Sequence, residues 1–158
     1  MPDEHHFLLQ RVQPAMVGLI DGSLSTLAPI FGIAFYTHRP HTAFIAGLST
    51  SIGAAISMAF SEGLSDTGEI TGRGNPMIRG AITGVGTFVG GILHTLPFLI
   101  TNYHAALVAA AVVVAFELVM LAVIRWTFFQ TGFVRSLLAV SIGGAVIAIV
   151  GSLIGSAG

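Results

Sequence analysis

Five apolar runs of about twenty residues, separated by short polar breaks, constrain this chain more than any other feature. A hydrocarbon core about 30 Å thick needs about twenty helical residues to cross it. Inside lipid only helices and closed barrels satisfy every backbone N–H and C=O. The runs lie near Ala15–Tyr36, Thr42–Leu64, Ile78–Ile100, Ala105–Trp126 and Val134–Ser156. The breaks carry turn chemistry: His38-Arg39-Pro40-His41, the glycine-containing stretch Asp66 to Pro76, Thr101-Asn102-Tyr103 and Gln130-Thr131-Gly132. Only 8% of residues are charged, against about 25% in a soluble domain. The pattern predicts an all-α membrane protein, a single domain over residues 1–158 with five transmembrane helices.

Arginine sets the orientation. No residue is lysine, and with five spans Arg11, Arg73, Arg79, Arg125 and Arg135 fall on one side and Arg39 on the other. The positive-inside rule then puts the N-terminus in the cytoplasm and the C-terminus outside. Tyr103 and Trp126 sit at span ends, as interfacial aromatics do. A net charge of −1 without a basic cluster excludes nucleic acid as a partner. The absence of cysteine excludes thiolate metal sites. The first run has no small-residue cleavage site, so it reads as an uncleaved span.

Acids inside these runs carry the functional signal. A carboxylate at the centre of a membrane helix costs about 2.5–3.5 kcal/mol, so one that is kept faces a cavity, a partner or an ion path. Met58, Glu62, Asp66 and Glu69 are spaced i, i+4, i+8 and i+11, which predicts one helical face running from a thioether to the polar end. Asp21 lies two turns into the first span, bracketed by Gly18 and Gly22, at a depth comparable to Glu62 on the second. Carboxylate oxygens with a methionine sulfur suit a borderline divalent ion such as Fe²⁺ or Mn²⁺. Met58 alone reads as packing; its place one turn from Glu62 makes it a candidate ligand.

Other polar residues stay open between two readings. Asp66 and Glu69 belong to a solvated loop or to a cation-attracting vestibule. Glu117 is a second ionisable group of the path, or the partner of Arg79 or Arg125. His94, a turn before Pro97, is a hydrogen-bonded packing residue or a proton relay. His38, His41 and His104 fall outside on this topology, and His5 and His6 with Asp3 and Glu4 make a weak metal-attracting tail. Pro29 predicts a kink in the first span with a freed carbonyl. The pairs Gly18/Gly22, Gly53/Ser57/Ser61, Gly80/Gly84, Gly86/Gly90 and Gly151/Gly155 predict close helix contacts.

These residues resemble a known family. Asp21-Gly22 with Ser25 to Pro29, then Gly53 to Ser65 with Ser57-Met58-Ala59 and Glu62, are similar to the vacuolar iron transporter family. Arg11-Val12-Gln13-Pro14, Leu64-Ser65-Asp66, Thr71-Gly72-Arg73-Gly74 and His94-Thr95-Leu96-Pro97 resemble the membrane domain of its bacterial membrane-bound ferritin branch most. The resemblance implies a five-helix protomer in the bacterial cytoplasmic membrane. It also implies a homodimer with the ion path between subunits, and Fe²⁺ moved out of the cytoplasm against protons. Asp21, Met58 and Glu62 match the family's pathway residues. Neither the helical insert of eukaryotic members between spans two and three nor the ferritin-like domain of the membrane-bound ferritins is expected here. Iron then comes as the free ion or from a delivering partner.

No enzyme activity, phosphate loop or permanently bound cofactor is expected, since Gly72-Arg73-Gly74 lacks the lysine and the strand–helix context of such a loop. Asp66, Glu69, Glu117 and His94 are candidates for the entrance or for proton coupling. The alternative is a small accessory subunit of a larger membrane complex, without transport.

Overall fold

The computed structural model describes the backbone from Pro2 and the side chains from His5 to Gly158; the side chains of Asp3 and Glu4 lie outside the described residues. The described residues form helices joined by turns and short loops, with no strand. The elements are α1 (Pro2–Phe7), a π-helical turn (Leu8–Val12), α2 (Gln13–Ser25), α3 (Leu27–Thr37), α4 (Pro40–Gly63), α5 (Pro76–Leu93), a 3₁₀ turn (Leu96–Leu99), α6 (Tyr103–Phe129) and α7 (Phe133–Ala157). Five helical segments are long and apolar enough to cross a membrane: the run His5–Thr37 and the helices α4, α5, α6 and α7.

Local sequence explains the ends. Pro40 and Pro76 open α4 and α5, where a missing N–H costs nothing. Asn75 Oδ1 accepts from Met77 N at 2.9 Å and caps α5; Asn102 Oδ1 accepts from Ala105 N at 2.9 Å and caps α6. The third apolar run is shorter as a helix than its hydropathy suggests. Pro97 has no N–H to offer the Leu93 carbonyl four residues back, and α5 stops at Leu93 before a 3₁₀ turn.

The first run differs from expectation at its start and is broken in its middle. Helix begins well before Ala15, because neither glycine nor proline interrupts His5 to Gln13; the π turn falls directly ahead of Pro14, which brings no N–H to the ladder. Further on the helix breaks at Thr26, between α2 and α3. Pro29 lies four residues after Ser25 and offers no N–H to the Ser25 carbonyl, so the proline acts one turn upstream of its own position.

Helix α5 is held between α2 and α4, α3 runs along α7, and α6 packs on α7 and the 3₁₀ turn. Small residues set these distances. A methyl added at Gly86 or Gly90 of α5 would come within 2.8 Å of Ala15 O or 2.5 Å of Leu19 O on α2. Gly18 and Gly22 of α2 meet the Thr83 and Thr87 backbone of α5 as closely. Gly80 and Gly84 face α4, and Gly151 and Gly155 face α3. In lipid such backbone approach, rather than hydrophobic collapse, drives helix association. The outer faces of α6 and α7 are apolar: Val108, Val112, Phe116 and Val123, then Leu138, Ile142, Val146 and Leu153, are all exposed.

Gly53 breaks the pattern. A methyl there would meet nothing within 4 Å, and Ser49, Ser57 and Ser61 on the same stripe of α4 are exposed.

Candidate functional site

The end of α4 and the loop after it build the most charged cluster of the described residues. Helix α4 ends at Gly63, with Leu64 as its cap. Asp66 and Glu69 therefore lie off the helix, which corrects the single four-residue face read from their spacing. Gly68, Gly72 and Gly74 take φ of +81°, +67° and +70°, a region that side-chain-bearing residues avoid. These turns bring the loop back over α4. Gln10 Nε2 donates to Gly72 O at 3.1 Å and ties the loop to the first helical run.

Two arginines grip the two acids. Arg73 Nη2 donates to Glu62 Oε1 at 2.6 Å and its Nη1 to Asp66 Oδ2 at 3.0 Å. Arg79 Nε donates to the same Glu62 Oε1 at 2.9 Å and its Nη1 to Asp66 Oδ1 at 3.2 Å. Arg79 is 1% exposed and Arg73 21%. The cluster is neutral as a whole, which is how charge persists near an apolar interior. Its hydrogen bonds are charge-assisted and fix both carboxylates. Partial burial pushes the Asp66 carboxyl up, but the Arg79 charge and hydrogen bonds from the Gly68 backbone, Arg79 and Arg73 outweigh it, holding Asp66 below the usual carboxylate range. Both contacts to Glu62 fall on Oε1; among the described residues no hydrogen bond reaches Oε2.

The remaining candidates separate into three places. Met58 is half-buried on α4, one turn before Glu62. Asp21 is half-buried on α2, next to the exposed Val17 and Ser25 at i−4 and i+4, and no hydrogen bond or ion pair among the described residues reaches it. It is joined neither to Glu62 nor to an arginine. Glu69 is exposed without an ion pair among the described residues. No three of the described His, Asp or Glu residues come together as a metal cluster within one chain.

His94 and Glu117 do meet, Nδ1 to Oε2 at 2.8 Å, and both are buried. Of the partners considered for Glu117, neither arginine is the one: Arg79 belongs to Glu62 and Asp66. Thr26 joins the pair, its Oγ1 2.7 Å from His94 Nε2. At the opposite end of the bundle His38 and His104 stack near Tyr103, with ring centroids 5.0 and 5.3 Å from it, and His41 lies near Phe44.

Sequence reading missed the arginine clamp. Arg73 and Arg79 stand 11 and 17 positions from Glu62, outside any helical period. The one available signal was the glycine spacing that lets the loop fold back.

An all-helical chain with five membrane-length helices is a multi-pass membrane protein. Residues 12–69 match the model of the VIT family. That segment covers the first two spans, with Asp21, Met58, Glu62 and Asp66. No curated protein and no solved structure matches the chain.

Proposed function

We propose that the chain exports a divalent first-row ion, Fe²⁺ or Mn²⁺, from the cytoplasm in exchange for protons, along a path between two copies of itself. Asp21, Met58 and Glu62 are the ligands on this reading, and the arginine-rich end of the bundle faces the cytoplasm of a bacterium.

The carrying observation is the uncovered small-residue stripe of α4. Gly80/Gly84, Gly86/Gly90 and Gly151/Gly155 each meet a neighbouring helix of the same chain; Gly53, with Ser49, Ser57 and Ser61, does not. Small residues facing outward from a membrane helix suit close approach of a second helix. This stripe lies on the helix that carries Met58 and Glu62. A second copy would double the acids and sulfurs at the seam, which supplies what one protomer lacks for a metal.

The chemistry follows from charge. Carboxylates gathered in a poorly hydrated seam do not all stay ionised, so some hold protons while no metal is present. A divalent ion displaces those protons, and protons returning from outside favour its release. Glu62 reaches the ion through Oε2, or through Oε1 once Arg73 swings away.

Reconstitution in liposomes tests the reading, with Fe²⁺ or Mn²⁺ flux and internal pH followed together. Wild type should move metal and protons in opposite directions, and Asp21→Asn and Glu62→Gln should each slow metal flux at least tenfold. Variants that transport as well as wild type overturn the ligand assignment. A stoichiometric foreign subunit, with no metal bound, overturns transport by the homodimer in favour of an accessory role.

A further inference from the structure

We propose that His94 and Glu117 form a buried one-proton site that clips α6 to the break in the first span, and that loss of this proton opens the clip. The site rests on hydrogen-bond geometry alone; only its use, as the proton half of the exchange, rests on the transport reading above.

The geometry counts the protons. Thr26 Oγ1 donates to Gly22 O at 2.8 Å, while the Thr26 backbone N–H turns to Leu24 O at the break. A hydroxyl has one proton to give. Thr26 has given it to Gly22, so across the 2.7 Å contact Thr26 accepts and His94 Nε2 donates. His94 thus carries a hydrogen on Nε2. One further proton must lie in the 2.8 Å contact between His94 Nδ1 and Glu117 Oε2, on whichever atom. With it the pair is neutral, as imidazole and acid or as imidazolium and carboxylate. Without it a nitrogen lone pair faces a carboxylate at hydrogen-bond distance in a site of 0% and 2% exposure, and a bare charge stays buried. The closed contact therefore requires one bound proton.

A second observation points to where that proton exchanges. Glu117 Oε1 is buried and has no hydrogen-bond partner among the described residues. It is the open acceptor of the cluster, able to take a water or an incoming proton. Among the described residues no other charged group makes an ion pair with the site. The titratable groups of the elements around it are Asp21 on α2, Tyr36 on α3, His41 and Glu62 on α4, Arg79 on α5, Tyr103, His104 and Arg125 on α6 and Arg135 on α7. None of these lies within salt-bridge distance of either residue.

Position gives the site its consequence. Thr26 is the break itself, the residue between α2 and α3, and Asp21 sits five positions earlier on α2. While the proton is bound, Glu117 holds that joint through His94. Its loss turns the contact repulsive and frees α2 to shift against α3, carrying Asp21 with it.

Two measurements test this. Nitrogen-15 spectra of histidine-labelled protein in detergent should show His94 with hydrogen on Nε2 and a hydrogen-bonded Nδ1. Its pH response should change in Glu117→Gln. A bare Nε2, or a response unaffected by Glu117→Gln, overturns the site whether or not the protein transports metal. The second measurement adds Mn²⁺ to weakly buffered protein and counts protons released. Glu117→Gln and His94→Gln should bind Mn²⁺ and release one proton fewer per protomer than wild type; Thr26→Ser should restore the count that Thr26→Val loses. Unchanged counts overturn the coupling role alone. Wild type that binds no Mn²⁺ overturns the transport reading and the coupling built on it, leaving the nitrogen spectra to decide the proton site.

Discussion

Arg79 and Glu62 stand 17 positions apart and meet at 2.9 Å, Nε to Oε1, joining the start of α5 to the last turn of α4. The arginine is buried, and its fork also reaches Asp66 and the Gly74 carbonyl. One side chain thereby fixes two helix ends and the loop between them.

Replacing Arg79 by Met should leave two carboxylates sharing only Arg73. Breaking a fully buried ion pair costs about 3–5 kcal/mol; Glu62 and Asp66 keep some solvent contact, so about 2–3 kcal/mol is expected, on the same basis. Arg79→Lys should recover less than half of it, since a point charge cannot span both acids as the guanidinium does. Chemical denaturation in detergent, comparing the three proteins, gives the values. A loss under about 0.5 kcal/mol for Arg79→Met, within the range of an ordinary surface change, would reject the anchoring role.

Arg73 makes the same two contacts from a more exposed position. Arg73→Gln should therefore cost only about 0.5–1 kcal/mol, the range of exposed pairs. It should also leave Glu62 held by one cation instead of two. If Glu62 is a metal ligand, Mn²⁺ affinity should rise several-fold in this variant; calorimetric titration of purified protein reads it. Equal affinities would mean that Arg73 does not compete with the ion.

Acid should loosen the loop in a defined direction. Asp66 is held below its ordinary value of about 3.9, so between the folded and unfolded values the unfolded chain binds more protons. The stabilisation is full above the ordinary carboxylate value and is lost as pH falls through the lower folded one. Asp66→Asn should flatten this acid limb while Glu69→Gln, an exposed residue without an ion pair, should not. Melting curves collected from pH 6 downward distinguish the two.

The span pattern and the position of the first-span break were legible because both depend on local rules: twenty apolar residues for a crossing, and a proline that removes a bond to the carbonyl four residues back. Four of the small-residue pairs were legible for the same reason, while Gly53/Ser57/Ser61 meets no helix of the same chain. The clamp was not, because Glu62, Arg73 and Arg79 share no helix and meet only after Gly68, Gly72 and Gly74 reverse the chain. The role of Glu117 was open in sequence between a place in the ion path and pairing with Arg79 or Arg125. Packing decided it, as the turn after α5 places His94 opposite α6. The acid stripe was half right: Met58 and Glu62 share α4, but Gly63 ends the period before Asp66.

Two glycines on different helices should respond oppositely to a methyl group. At Gly22 the new Cβ would run into the Thr87 carbonyl, which is backbone and cannot rotate aside. Overpacking of this kind costs about 1–3 kcal/mol or more, against the few tenths to 1 kcal/mol that alanine gains as a helix former. Gly22→Ala should thus destabilise the protomer and lower its yield. At Gly53 the Cβ meets open space, so Gly53→Ala should leave the protomer fold intact or slightly more stable. If α4 packs on a second copy through this stripe, a larger residue will act there instead: Gly53→Leu should preserve helicity and melting of the protomer while shifting it from dimer to monomer. Light scattering in detergent, alongside circular dichroism, reads both effects at once. A Gly53→Leu protein that remains dimeric would move the seam to another face of the bundle.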